Sequence, residues 1–332
     1  MRAWLVRKWG EPDEMELADI PEPRPASGQV RIRIRAAALN YFDVLQIRGQ
    51  YQVKPPFPFT PGAEIAGVID AVGDGADIWR KGDHVIAVPQ LGGFAECALA
   101  NSCDVLPLPG GMEWRQAAAM PIVFHTSFFA LRDRAAIRKG EWLLVHAGAS
   151  GVGMSAIQLG RAFGARVIAT AGSPEKLRFA HRQGAEHVVN YASPSWVDEV
   201  REITGGRGAD VVYDPVGSDV FDLSTKCIAS GGRLLVIGFA GGRIPSIAAN
   251  RVLLKNISVV GVYWGGEVRA RSTYLVEVHR ELDSLWHAGK IAPEVCREWP
   301  LGELPAALSA LAHREITGKA VVVPDYETSH RP

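Results

Sequence analysis

The stretch Glu141–Thr170, EWLLVHAGASGVGMSAIQLGRAFGARVIAT, decides the fold. It divides into an apolar strand, a glycine turn, an amphipathic helix and a second apolar strand. WLLVHA is almost wholly apolar, as expected of a parallel strand covered on both faces. Gly148, Gly151 and Gly153 stand in the turn, where a small residue lets the backbone bend and approach a pyrophosphate. The helix after the turn would aim free N–H groups and its positive dipole end at those phosphates. A strict G-x-G-x-x-G ending at Gly153 needs glycine at position 150, where the chain has Ser150. The flanking strand, helix and second strand therefore carry the expectation of a dinucleotide site more than the turn does. The expected contacts in the turn are Gly148, Ser150, Gly151 and Val152.

The second strand runs out through Thr170, Ala171, Gly172 and Ser173. An NAD site usually places Asp or Glu here to accept from the two ribose hydroxyls, and none of the four residues is acidic. Pro174, Glu175 and Lys176 follow, so Ser173 reads as an N-cap and Pro174 as the first helical residue. A helix N-terminus, the Ser173 hydroxyl and the Lys176 ammonium together suit a 2′-phosphate. This predicts NADPH over NADH. The alternative for Lys176 is a solvated surface lysine.

Working outward, the 332 residues suit two domains. Lys plus Arg and Asp plus Glu both number 36, and the formal charge is zero, so bulk electrostatics draw the chain to neither nucleic acid nor membrane. No apolar run reaches membrane-spanning length. The start, MRAWLVRKWGEPDEM, carries charges throughout and lacks the apolar core of a secretory signal. Cys97, Cys103, Cys227 and Cys296 show no C-x-x-C spacing and read as reduced thiols of a cytoplasmic protein.

Residues 1 to 121 read as β-rich. In VRIRIRAAAL, Val30, Ile32 and Ile34 alternate with Arg31, Arg33 and Arg35, the pattern of a half-buried strand. AAAMPIVFHTSFFAL, from Ala117 to Leu131, reads as helical. Strand and helix then alternate to residue 264. HVVNY, ADVVYDPV, GRLLVIGF and ISVVGVYW bring the strands to six, enough for a doubly wound sheet. A long helix over TYLVEVHRELDSLWHAG, a shorter one over ELPAALSALAHRE and a strand, KAVVVP, complete the pattern.

The stretches ALNYFDVLQIRGQY, FPFTPGAEIAGVIDAVGDGADIWRKGDHVIA, VHAGASGVG, GSPEKL, GGRLLVIGFAGG and TGKAVVV occur in this order over essentially the whole chain. On them the chain resembles the medium-chain dehydrogenase/reductase superfamily, in particular its zinc-independent, zeta-crystallin-like NADPH:quinone oxidoreductases. The resemblance implies an α/β fold, with a Rossmann-type doubly wound parallel sheet inserted in a GroES-like β-barrel catalytic domain. Residues 1–121 would form the first part of the catalytic domain, 122–264 the NADP-binding domain, and 265–332 the return to the catalytic domain. The active site would lie in the cleft. A homodimer is also implied, with ISVVGVYW as a strand that pairs between subunits. Its alternative role is an ordinary edge strand covered by the chain's own helices.

The zinc ligands of relatives have no counterpart in this pattern. The first ligand position falls within LNYFD, which has no cysteine, and the histidine of a G-H-E motif is Ala63 in PGAEIAG. Zinc prefers Cys and His in tetrahedral sets. Without a Lewis acid to hold an alkoxide, hydride acceptors such as quinones, or alkenes conjugated to a carbonyl, are favoured over alcohol chemistry.

The resemblance also implies site residues. Asn40, Asp43 and Tyr51 lie in N-x-x-D-x-x-x-x-R-G-x-Y, the segment lining the substrate cleft. Asn40 would bond near the nicotinamide ribose or the substrate oxygen, and Tyr51 would steady the carbonyl or pass a proton through water. Their alternatives are structural: Asn40 ends a strand, Asp43 caps a helix and Tyr51 packs at a domain edge. Leu45 stands where some relatives carry an aromatic. Thr126 matches a position facing the nicotinamide carboxamide, or else bonds back to its own helical turn. Tyr191 resembles a tyrosine beside the 2′-phosphate, or is a strand-end aromatic. Gly238 and Phe239 would line the nicotinamide. Lys319 would reach toward the cofactor, or is a surface lysine. The expected reaction is hydride transfer from NADPH to a quinone. An enone or enoyl-type reductase, and a non-catalytic NADPH-binding sensor or structural protein, are the alternatives.

Overall fold

The computed structural model describes residues 1–271 and 273–325. The chain divides into two units, Met1–Ile122 together with the stretch from Pro293, and Val123–Ala292.

In the first unit, β1 (Arg2–Leu5) and β2 (Glu16–Asp19) pair antiparallel. They precede β3 (Gln29–Ala38), β4 (Ile65–Val72), β5 (His84–Ala87), β6 (Cys97–Asn101) and β7 (Val105–Pro107). The second unit holds β8 (Trp142–Val145), β9 (Arg166–Ala171), β10 (His187–Asn190), β11 (Ala209–Asp214), β12 (Ile228–Val236) and β13 (Ser258–Gly261). The chain returns to the first unit for β14 (Val295–Pro300) and β15 (Lys319–Val323).

The first unit is built around β3. Val30, Ile32 and Ile34 are buried while Arg31 and Arg33 reach Asp70 on β4 and Glu22 at the sheet face. The sheet order is β14-β15-β3-β4-β5-β7, with β6 pairing β3 through Gln29–Arg33. β15 joins β3 at Ala37 and Ala38, so the two ends of the chain share one sheet. Trp299, Leu304 and Leu308 from the late part of the chain enter the same core as Ile32, Ile65 and Phe94.

The second unit has a six-stranded parallel sheet in the order β10-β9-β8-β11-β12-β13. Strand order reverses between β8 and β11, the switch point at which open parallel sheets take ligands. Both strands are buried along their whole length, as helices on both faces require. All six strands expected from the sequence form.

Two expectations change. The helix expected over Ala117–Leu131 is broken into Trp114–Ala118 and Pro121–Phe128, followed by a π-helical segment, Phe129–Arg134. Pro121 offers no N–H and disfavours helical geometry at the residue before it. The chain returns to the first unit at Pro293, where a return at 265 was expected. The helix Tyr274–His287 stays in the second unit because it buries Tyr274, Leu275, Val278, His279 and Leu282 there. Tyr274 donates to Asp133 and meets Phe129 edge-on at 5.8 Å.

Among the described residues no helix is long and apolar enough to cross a membrane.

Candidate active site

In the second unit the helix Gly151–Ala162 starts straight after the glycine turn, as its sequence demands. Ser150 is its N-cap: the hydroxyl accepts from Gly153 N–H at 3.1 Å and donates to the Ala147 carbonyl at 2.8 Å. Serine at the place of the second motif glycine therefore builds the turn instead of weakening it. The glycines are needed for space. A Cβ on Gly153 would lie 2.2 Å from the Ala147 oxygen, and one on Gly148 2.9 Å from the Ala169 Cβ. The left-handed residue of the turn is Ala147, at φ 49°, which the sequence did not single out. The N–H groups of Gly151 and Val152, in the first turn of the helix, find no acceptor among the described residues. Such a pair at a helix N-terminus is suited to a phosphate.

One sheet position away, β9 ends at Ala171. Ser173 caps the helix Pro174–Arg182, its hydroxyl accepting from Lys176 N–H at 3.3 Å. Gly172 leaves room for Tyr191, whose hydroxyl would come within 2.8 Å of any Cβ there. Gly172, Ser173, Lys176 and Tyr191 are thus gathered at one end of β9, with no carboxylate on the strand's last residues. After β12, the loop at Gly238 and Phe239 is tied to the loop after β11: Ala240 N–H donates to Pro215 and Gly241 N–H to Val216. Phe239 is 40% exposed.

Thr126, on Pro121–Phe128, is half-buried, and its hydroxyl makes no back-bond to its own turn. Thr204, by contrast, donates to the Val200 carbonyl at 2.9 Å. His125 beside it is fully buried and stacks almost parallel on His279, ring centroids 6.0 Å apart, as a packing residue would. His146, at the end of β8, bonds Thr170 at 2.9 Å and Ser224 at 2.8 Å. Burial pushes its imidazole down to about 3, so it stays neutral.

In the first unit a charged cluster surrounds Asn40, the N-cap residue of the helix Tyr41–Ile47. Glu64, fully buried just before β4, accepts from Asn40 Nδ2 and from Lys319 Nζ, both at 2.8 Å, through Oε2. Its other oxygen accepts from Ile122 N–H at 2.7 Å. Lys319 also donates to Asn40 Oδ1 at 2.8 Å and to the Leu39 carbonyl at 2.9 Å.

Two expected roles are corrected here. Lys319 does not reach out to a cofactor. It is 3% exposed, and its three N–H bonds are met by Leu39, Asn40 and Glu64. Asp43 does not line an open cleft. It is fully buried and caps the helix, accepting Asn40 N–H at 2.8 Å. Its Oδ1 has no partner among the described residues, and burial pushes the carboxyl up to about 8, so it holds a proton at neutral pH. Tyr51 is half-buried against Phe42, ring centroids 5.5 Å apart. Sequence reasoning missed Phe42 and Glu64. The signal for Glu64 was a carboxylate inside the apolar run PGAEIAGVI.

Two family models match the chain: the alcohol dehydrogenase GroES-like domain over residues 26–120 and the zinc-binding dehydrogenase model over residues 151–279. Quinone oxidoreductase-like protein 2 of Bos taurus is 36% identical over 305 residues, 90% of this chain and 86% of that protein. The Escherichia coli quinone oxidoreductase complexed with NADPH superposes with a TM-score of 0.92 at 29% identity, covering 98% of this chain and 100% of that one. The CurK enoyl reductase does so with a TM-score of 0.88 at 27% identity, over 97% and 99%.

The zinc in one model's description does not fit the residues present. Ala63 offers no ligand, and the Lys319 ammonium sits against Glu64 and Asn40, where it would repel a dication. Among the described residues, no group of three or more His, Cys, Asp or Glu side chains is placed to hold a metal ion. On these matches over nearly its whole length, the chain belongs to the quinone oxidoreductase-like family of the medium-chain dehydrogenase/reductase superfamily.

Proposed function

We propose that this protein is an NADPH-dependent reductase whose acceptor is a small quinone. The observation that carries the reading is the capped glycine turn, with Gly151 and Val152 N–H unmet, beside a strand end that offers a serine, a lysine and a tyrosine in place of a carboxylate. When bound, NADPH supplies the hydride, and the cofactor rather than the protein carries the chemistry.

The residues hold and orient it. Gly151 and Val152 N–H meet the pyrophosphate, and the tight Gly148 and Gly153 positions let the backbone approach. Ser173, Lys176 and Tyr191 meet the 2′-phosphate, with Gly172 giving them room. Gly238 and Phe239 flank the nicotinamide, Thr126 offers its hydroxyl to the carboxamide, and Asn40 meets the nicotinamide ribose. The Tyr51 ring, steadied by Phe42, confines a flat acceptor and its hydroxyl passes a proton through water.

Steady-state NADPH oxidation with 1,4-benzoquinone, 9,10-phenanthrenequinone and a small enone, with NADH run alongside, tests this. Turnover with the quinones and preference for NADPH are expected. Enone turnover without quinone turnover would shift the function to alkene reduction, the reading favoured by the likeness to an enoyl reductase. Tight NADPH binding with no turnover of any acceptor would make it a binding protein.

The partner of finer detail is a second copy of this chain, in the cytoplasm. β13 is a sheet edge, with Val259 39% exposed, and the helix Ala249–Lys255 leaves Leu253 and Leu254 more than 70% exposed. An apolar edge of this kind is a template for pairing. Sedimentation should give a dimer that Leu254→Glu dissociates. A wild type that sediments as a monomer would remove the dimer.

A further inference from the structure

An asparagine amide can rotate by half a turn with almost no change in shape, so what fixes it is the charge and polarity of its neighbours. At Asn40 both neighbours are one-sided. Glu64 only accepts and sits on Nδ2; Lys319 only donates and sits on Oδ1, each at 2.8 Å. The flipped amide would set oxygen against carboxylate and NH2 against ammonium. One Nδ2 proton is taken by Glu64, and the second faces the Ala38 carbonyl at 3.5 Å. Oδ1 has two lone pairs and Lys319 uses one.

We propose that Glu64 and Lys319 are positioning residues that lock the Asn40 amide, leaving its oxygen and not its NH2 for a ligand, so that Asn40 accepts from a hydroxyl of the nicotinamide ribose instead of donating to the acceptor's carbonyl oxygen. This rests on the reading of Asn40 as a dinucleotide contact and decides between the two partners that reading allows. It also accounts for ion-paired groups buried at 3% and 0% side-chain exposure, where apolar residues would fill the same volume at less desolvation cost.

The test is a mutant cycle of Asn40→Ala, the double variant Glu64→Gln with Lys319→Met, and all three together. The double variant removes both charges at once and so avoids stranding either one. NADPH affinity is read by quenching of protein fluorescence, and kcat and KM for 1,4-benzoquinone are read alongside. The double variant should bind NADPH roughly tenfold more weakly with KM for the quinone unchanged. The triple variant should be no worse than Asn40→Ala, because the losses share one cause. Affinity for adenosine 2′,5′-bisphosphate, which lacks the nicotinamide ribose, should not move in any variant. Glu64→Gln alone is the fallback if the double variant does not fold, and should show the same pattern to a smaller degree.

Wild-type NADPH affinity in the double variant, or losses that multiply in the triple, would overturn the positioning role. A raised quinone KM at unchanged NADPH affinity would give Asn40 to the acceptor. A wild type that binds NADPH but reduces nothing would refute the reductase reading while the affinity cycle still decides this one. A wild type that binds no NADPH would end both.

Discussion

Each unit buries a polar network, one charged and one neutral. In the first unit, Glu64 and Lys319 are ionic groups held with Asn40 and the protonated Asp43. In the second, His146 bonds Thr170 and Ser224, and Ser127 bonds Ser155 and Tyr213, with no ionic group in either set. The difference teaches where each kind of network is useful. Neutral hydroxyls and an uncharged imidazole tie strands and helices together at little desolvation cost. A buried ion pair is a poor stabiliser by comparison with apolar packing, but it sets the direction of a neighbouring dipole, which hydroxyls free to rotate cannot do.

The largest expected effect separates the two networks directly. Lys319→Met leaves the Glu64 carboxylate buried and unpaired and should cost about 3–5 kcal/mol of stability. Ser224→Ala removes one partner of the neutral network and should cost roughly 1–3 kcal/mol. Denaturant melts of both variants measure the gap. Equal costs would mean that the charged cluster is wetter or better compensated than its burial suggests.

The two networks also tilt stability with pH in opposite directions. Asp43 is raised from 3.8 to about 8, so between those values the folded chain holds a proton that the unfolded chain has released. Its contribution is full below the unfolded value and is lost as pH rises through about 8. His146 is lowered from 6.5 to about 3, so the unfolded chain takes the proton first as pH falls. Its contribution is present above 6.5 and is lost as pH drops toward 3. Asp43→Asn should therefore flatten a decline in melting temperature that runs from 3.8 to about 8 and leave the profile above that window as it was. A decline across that window unchanged in the variant would show that Asp43 is not protonated in the fold.

The smallest effect lies at the rim of the nucleotide unit. Lys176→Glu should lower the preference for NADPH over NADH by about tenfold, as expected for one charge-assisted bond to a phosphate. The ratio of kcat/KM for the two coenzymes reads it. An unchanged ratio would return Lys176 to a surface role and leave the 2′-phosphate to Ser173 and Tyr191.

Where a residue's chemistry was local, it was legible. Ser173 before Pro174 and Lys176 reads as a cap from three adjacent residues, and it is one. The six apolar runs of the nucleotide unit became six parallel strands, and the central pair, β8 and β11, is buried along its whole length. Pro121 was visible, but the helical composition around it outweighed the break it imposes. Asp43 capping its helix was legible from Asn40 three residues before it, but its complete burial was not. Lys319 misled for a different reason: its partners lie far off in sequence, and Glu64 is 255 residues away. A lysine in TGKAVVV looks available until β15 is seen beside β3.

The sequence by itself determined the doubly wound sheet, its glycine turn and the absence of a carboxylate at the end of β9, since these follow from periodicity and from neighbours a few positions apart. Only the tertiary structure decided that Asp43 is buried and neutral, that Lys319 is saturated and that the Asn40 amide is held from both sides. Those properties depend on desolvation and on donors brought together by strand pairing, and neither is written in the order of adjacent residues.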